Sequence, residues 1–326
     1  MTVELLSGNH AAATAAILAG RANRGGRGFV SGLYPITPST ECMELLCAQE
    51  IPKGQVVRVE SEHSAMGVCI GAAAAGARTF TATSANGLIY MAENAVAAAL
   101  LRLPVVMMVA NRTLGPPWNV WADHGDSLFL RDAGWLQIYC SDNQEVLDSV
   151  LCAYRMAEDP RLLLPAMVCQ EAFVLSHTVT QTDVPEQEAV DRFLPPLDLR
   201  TRLAGEARVL GGIDSPHVTE VHRAQHQEAM SRVFEVYEEV QEAFQSAFGR
   251  RPPDPVVAHR AEDAETLVVS MGTLASTVEG VVDAERARGR FRPPVRGPAA
   301  RSARERWLLY RRSLQSAGDR QEGDDP

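Results

Sequence analysis

The segment Arg58-Val59-Glu60-Ser61-Glu62-His63-Ser64-Ala65-Met66-Gly67 sets two carboxylates at the start of a helix, and Ile70-Gly71-Ala72-Ala73-Ala74-Ala75-Gly76 continues that helix with almost no bulk. A helix so bare can lie close against another surface. An acid at this junction either partners the helix dipole in solvent or works as an acid or base in a pocket. Arg112 ends the apolar run Val105–Asn111 and carries a planar donor fork that can orient a carboxylate, although such a residue can equally form a surface ion pair. Thr37, within Tyr34-Pro35-Ile36-Thr37-Pro38-Ser39, offers a hydroxyl that can serve a turn or a ligand. Ser84-Ala85-Asn86-Gly87 forms a tight polar loop. Asp123, His124 and Asp126 could suggest a metal, but a loop with a helix cap and a hydrogen-bond network is the better reading. His222 and His226 share helical spacing without a third ligand, so no metal site is expected.

The elements that must position these groups follow from patterning. Short apolar runs predict strands at 28–34, 56–59, 79–81, 104–110, 136–139 and 166–169, with helices between them at 9–22, 40–49, 64–76, 87–101 and 143–157. Strands alternating with helices of this length predict an α/β fold with a parallel sheet covered on both faces. Ligands bind such sheets at the carboxyl ends of strands. The loops 34–39, 60–64, 82–87 and 111–126 all follow strands and are expected to converge on one edge. Residues 180–225 read as a long crossing connection, followed by a charged helix at 226–248 that stops at Gly249. A strand at 264–271 and a helix at 274–288 then read as the start of a second α/β unit.

A chain of 326 residues, 46% apolar, can bury a full core. Its net charge of -10 disfavours nucleic acid and anionic membranes as partners. No run of about 18 apolar residues is present and the N-terminus lacks a leader pattern, so a soluble cytoplasmic protein is expected. The six cysteines are scattered without a CxxC pair, which points to reduced thiols and leaves no cluster-binding motif in this chain.

Lys53 is the only lysine among 31 basic residues, a bias that reflects GC-rich coding. Beyond Gly289 the chain turns Arg-, Pro- and Ala-rich, with one apolar patch at Trp307–Tyr310. Two readings fit residues 290–326: an altered or truncated reading frame, or a disordered tail.

YPITPST at 34–40, ESEHSAMG at 60–67, GARTFTATSANGL at 76–88, LRLPVVMMVANR at 101–112, WADHGDSLFLRDAGW at 121–135 and EDPRLLLPAMVC at 158–169 occur in this order. Together, over residues 7–289, they resemble the alpha subunit of the 2-oxoacid:ferredoxin oxidoreductases, most closely the pyruvate type. The resemblance implies a thiamine-diphosphate-binding domain of the pyrimidine type over 1–255, the start of a transketolase C-terminal-like domain over 256–289, and an aberrant or disordered tail over 290–326. It implies oxidative decarboxylation of pyruvate with coenzyme A, electrons passing to ferredoxin, by a chain inactive alone. Glu62 then matches the carboxylate at the cofactor's pyrimidine N1′, which belongs in a dry pocket where burial favours the protonated acid. Thr37 and Arg112 match the substrate-binding positions, and Ser84, Asn86 and Gly87 those lining the cofactor. Asn86 stands where the family commonly has Gln.

No Gly-Asp-Gly followed by Asn is present, and no GxGxxG follows a strand. The resemblance explains this: a beta subunit carries the diphosphate and Mg2+, and gamma and ferredoxin-like delta subunits accompany it, with the iron–sulfur clusters on the partners. Alternatives are the same chemistry on 2-oxoglutarate or a branched 2-oxoacid, or an inactive remnant that only binds partners.

Overall fold

The computed structural model describes residues 2–199, 203, 209–262, 264, 266–289 and 304–305. In chain order the elements are β1 (Thr2–Leu6), α1 (Gly8–Ala22), β2 (Phe29–Leu33), α2 (Thr40–Ala48), β3 (Gly54–Arg58), α3 (Glu62–Ala74), β4 (Arg78–Thr83), α4 (Ala85–Tyr90), α5 (Ala92–Leu100), β5 (Val105–Asn111) and α6 (Gly125–Phe129). They continue with β6 (Leu136–Tyr139), α7 (Asn143–Ala157), β7 (Ala166–Glu171), β8 (Thr180–Val184), α8 (Gln187–Phe193), α9 (Pro216–Ser231), α10 (Val233–Phe248), β9 (Val256–Val257), α11 (Thr273–Ala287) and β10 (Arg304–Glu305).

Six strands form one parallel sheet in the order β3-β2-β4-β5-β7-β6. Its centre is covered on both faces, as a parallel sheet must be: every residue of β4, β5 and β7 is buried, the polar Thr79, Thr81 and Thr83 of β4 included. Alternation along β5 divides the core. Val106, Met108 and Ala110 face the layer built from α1, α2, α7, α8 and α10, while Val105, Met107 and Val109 face α3, α4 and α5.

Small residues set the close approaches. At Gly32 in β2, a β-carbon would lie 2.1 Å from the Ala65 carbonyl oxygen, so only glycine lets α3 rest directly on the strand. That contact carries the acidic start of α3 to the sheet edge. Arg78, fully buried, clamps the opposite end: its guanidinium donates to both carboxylate oxygens of Glu158 (2.6 and 2.7 Å), to the Ala19 carbonyl (2.7 Å) and to the Pro195 carbonyl (3.0 Å).

The predicted strands and helices of the first 170 residues are present, with shifted ends. Helix 87–101 is broken at Met91 into α4 and α5. Residues 180–225 are not a plain connection: β8 pairs antiparallel with β1, α8 follows, and α9 begins at Pro216. The Ser215 hydroxyl accepts from the Val218 N–H and proline occupies the first turn, so a strong start signal sits ten residues ahead of the expected one. The charged helix is accordingly two helices, divided at Arg232.

The strand expected at 264–271 is not formed among the described residues. Leu267, Val268 and Val269 lie outside any strand, with the two valines exposed. No described strand runs beside them, and an apolar run needs such a neighbour to become a sheet strand. The helix after Gly272 is present as α11. The readings of 290–326, including the patch at Trp307–Tyr310, lie outside the described residues apart from 304–305. None of the six cysteines forms a disulfide. Among the described residues no helix is long and apolar enough to cross a membrane, and no His/Cys/Asp/Glu group could hold a metal ion.

Candidate active site

The four strand-end loops do converge: hydrogen bonds tie 34–39 and 82–87 to 111–126, and Glu62 of 60–64 packs against Gly87. Ser61, extended at φ -155°, caps α3 by accepting from the Ser64 N–H at 3.2 Å. This directs the next residue, Glu62, into the protein, where it is 7% exposed. Glu60 behaves oppositely: it is exposed, the Ser64 hydroxyl donates to its carboxylate, and that bond holds the carboxyl below its usual range. Of the two acids, Glu62 occupies the pocket. Among the described residues no protein group hydrogen-bonds its carboxyl.

The wall facing Glu62 is Gly87 in α4. A β-carbon there would stand 2.6 Å from Glu62 Oε1, 2.7 Å from Ile36 Cδ1 and 2.8 Å from Thr83 Oγ1. Thr83 Oγ1 is buried without a partner. Thus the YPIT turn, the end of β4 and the start of α3 meet around one glycine.

Ser84 and Asn86 serve the loop itself. The Ser84 hydroxyl donates to the Ala110 carbonyl at 2.6 Å. Asn86 Nδ2 donates to the Gly115 carbonyl at 3.1 Å, and Asn86 Oδ1 accepts from the Gly115 N–H at 3.0 Å. Between them Ala85 sits at φ +44°, a left-handed conformation that costs a non-glycine residue about 1–2 kcal/mol.

Arg112 follows β5 and is 9% exposed. Its Nη1 donates to the Thr37 carbonyl at 2.6 Å, and its buried Nε has no partner. Burial lowers the guanidinium's pKa while the nearby Asp126 charge opposes that shift. The Thr37 residue is exposed at the rim. A second cluster lies alongside: Glu171, ending β7, lies 3.0 Å from His124 Nε2 and accepts from the Thr273 N–H at 2.9 Å, which anchors the start of α11.

Sequence reasoning missed Thr83 and Ile36 as neighbours of Glu62, and read Asp126 only as part of a loop network. Thr83 lies inside the predicted pocket loop 82–87, although the structure extends β4 through it. Ile36 lies inside a motif already singled out.

The arrangement fits a cofactor that presents a ring nitrogen to a carboxyl: an unengaged buried acid, a partnerless hydroxyl and a cradle a methyl group would fill. A covered parallel sheet with such an acid at a strand-to-helix junction is compatible with the α/β enzymes that bind thiamine diphosphate, and the family comparison places the chain in that class. Within that class residues 25–242 match the family described as pyruvate flavodoxin/ferredoxin oxidoreductase, thiamine diphosphate-binding, and the chain belongs to it.

Its curated relatives agree. The chain is 43% identical over 295 residues to the pyruvate synthase subunit PorA of Methanocaldococcus jannaschii, covering 88% of this chain and 74% of that one. Identity to PorA of Methanothermobacter thermautotrophicus is 44% over 294 residues, covering 89% and 75%. The ketoisovalerate oxidoreductase subunit VorA of Pyrococcus horikoshii is 42% identical over 292 residues, covering 88% and 72%. Among solved structures, a 2-oxoglutarate:ferredoxin oxidoreductase from Magnetococcus marinus shares the fold, with a TM-score of 0.70 at 18% identity. That match covers 97% of this chain and spans 55% of the solved one.

Proposed function

We propose that this chain is the alpha subunit of a cytoplasmic pyruvate:ferredoxin oxidoreductase, converting pyruvate and coenzyme A to acetyl-CoA and carbon dioxide with electrons passed to ferredoxin. The observation that carries the reading is Glu62, a buried acid without a protein donor, set against Gly87 and the partnerless Thr83 hydroxyl. When bound, thiamine diphosphate supplies the carbon nucleophile for decarboxylating a 2-oxoacid.

The chain's own residues have distinct tasks. Glu62 holds and exchanges a proton at its carboxyl oxygens, opposite the pyrimidine ring. Gly87 leaves space for that ring, and Thr83 Oγ1 offers it a second polar contact. Ser84 and Asn86 shape the lining loop through their bonds to Ala110 and Gly115. Arg112 orients the substrate carboxylate with its fork, and the Thr37 hydroxyl contacts the substrate at the rim.

Residues 1–255 form the pyrimidine-type domain in this proposal, and 256–289 begin the second. A beta subunit holds the diphosphate and Mg2+, gamma and ferredoxin-like delta subunits complete the assembly, and the iron–sulfur clusters lie on the partner subunits. The relatives' description as subunits supports an assembly of this kind.

Reconstitution with a beta-type chain tests the reading, by following pyruvate- and CoA-dependent reduction of a low-potential dye. Turnover is expected, and its absence with a competent partner would defeat the proposal. In that assembly Glu62→Gln should abolish proton exchange at the cofactor's C2 while binding survives; unchanged exchange removes Glu62 from its role. The comparable identity to a ketoisovalerate oxidoreductase subunit favours one second reading, a branched 2-oxoacid substrate. Faster turnover of 3-methyl-2-oxobutanoate than of pyruvate would select it.

A further inference from the structure

Asp126 lies in α6, fully buried, and its two oxygens receive four donors from three segments. Oδ1 accepts from Asn111 Nδ2 at 2.7 Å and from the Ser127 N–H at 2.7 Å. Oδ2 accepts from the Ala85 N–H at 2.9 Å and from the Arg112 N–H at 3.1 Å. Burial raises this carboxyl's pKa above its ordinary value, and the four donors limit the rise. Because every group facing the oxygens is an N–H, the ionised form satisfies them all and the neutral acid would set an O–H against one of them.

The two Oδ2 partners matter most. Ala85 is the left-handed residue two positions before Gly87, and Arg112 sends its guanidinium to the Thr37 turn. A single oxygen therefore joins the segment that walls Glu62 to the segment that carries the arginine. Neighbouring bonds fix the aspartate in turn: Asn111 Nδ2 also donates to Ser127 Oγ at 2.8 Å, Ser127 Oγ pairs with the Tyr139 hydroxyl at 2.9 Å, and Gln137 Nε2 donates to the Ser127 carbonyl at 2.9 Å.

We propose that Asp126 is a positioning residue that holds the Ala85–Gly87 turn and the Arg112 backbone in one register, so that the cofactor pocket beside Glu62 and the arginine fork that takes the 2-oxoacid stay aligned. It touches neither cofactor nor substrate. The inference rests on the function proposed above for Glu62 and Arg112, and it predicts coupled behaviour of two segments that are remote in sequence.

Asp126→Asn keeps the size but turns one oxygen into a donor facing a donor. In the full chain, amide hydrogen exchange should show Ala85 and Arg112 losing protection together, each by about tenfold, while Val106–Val109 are unchanged. Uniform loss across β4 and β5 would show a structural role only and overturn the proposal, as would unchanged protection at both amides. This arm needs no cofactor and stands even if the proposed activity fails.

In the reconstituted enzyme, Asp126→Asn should raise KM for pyruvate and lower kcat, with kcat/KM down roughly 100-fold. Asp123→Asn, in the same loop, should leave both near the unaltered values. Adding Ala85→Gly to Asp126→Asn should restore about tenfold in kcat/KM, because glycine adopts the left-handed turn without the aspartate's help. No recovery, with Asp126→Asn impaired only in melting temperature, would overturn the coupling. If Asp126→Asn does not fold, Ala85→Gly alone decides: stronger protection at Arg112 than in the unaltered chain, because the relaxed turn no longer strains the shared oxygen, supports the coupling, and unchanged or weaker protection there overturns it.

Discussion

Gly87 and Glu62 stand so close that a β-carbon on the glycine would lie 2.6 Å from the glutamate's Oε1. The atoms such a carbon would meet, Glu62 Oε1, Ile36 Cδ1 and Thr83 Oγ1, are all ends of side chains. They can move, so Gly87→Ala should fold, at a cost of about 1–3 kcal/mol. The movement displaces the carboxyl from its cradle. Proton exchange at the cofactor's C2 in the reconstituted enzyme should fall roughly 100-fold, as expected for a misplacement of about 1 Å. Exchange at the unaltered rate in a folded variant would show that the glycine does not shape this site.

How much of this was legible follows from the range of the interactions involved. Val105–Asn111 and Asn143–Ala157 could be read directly, since one is a buried apolar run and the other carries its own Asp142 cap and helical period. Glu62, Thr37 and Arg112 could be placed in strand-end loops because such positions in a parallel sheet are set locally, whereas the choice of Glu62 over Glu60 and the roles given to all three came from the family resemblance. The β1–β8 ribbon was not, because Thr180–Val184 is mostly polar and its partner begins at Thr2. Asp126 shows the same limit within the site. Its partners Ala85 and Arg112 come from different loops, and only the register of β4 against β5 brings them to one oxygen.

Arg112 offers a test of substrate recognition. Its fork is anchored by one bond to the Thr37 carbonyl, while Nε stays buried without a partner. Arg112→Ala should chiefly impair use of the 2-oxoacid. Loss of a charge-assisted bond of about 1.5–3 kcal/mol corresponds to a rise of roughly 10- to 100-fold in KM for pyruvate. Arg112→Lys should recover little, because an ammonium lacks the planar fork. A steady-state rate that depends on pyruvate as before in both variants would exclude the assignment.

Arg78 tests the scaffold at the other end of the sheet. Its guanidinium is buried, lies 5.6 Å from the Tyr154 ring centre and makes a two-pronged pair with Glu158. Arg78→Ala leaves that carboxylate and the Ala19 and Pro195 carbonyls without their donor. The expected loss is about 3–5 kcal/mol, read as a lower denaturant midpoint. A change under about 1 kcal/mol would mean that water replaces the guanidinium at no great cost.

The last prediction concerns acid. His226, half-buried in α9, donates from Nε2 to the Gly134 carbonyl at 3.3 Å. Burial lowers its pKa below the ordinary 6.5, the Gly134 bond opposes this, and Arg102 and Arg223 lower it further. The folded chain therefore prefers the neutral ring. A histidine depressed on folding contributes stability that is complete above the unfolded value and drains as pH falls through the folded one, because the unfolded chain binds the extra proton first. Between pH 6.5 and the lower folded value, the contact of α9 with the Gly134 turn should weaken. Denaturant midpoints measured from about pH 8 down to about pH 5 should fall more steeply for the unaltered chain than for His226→Gln, which keeps a donor and cannot titrate in that range. Parallel curves would show that His226 gains its proton as readily in the folded chain as in the unfolded one, and that α9 is held by its other contacts.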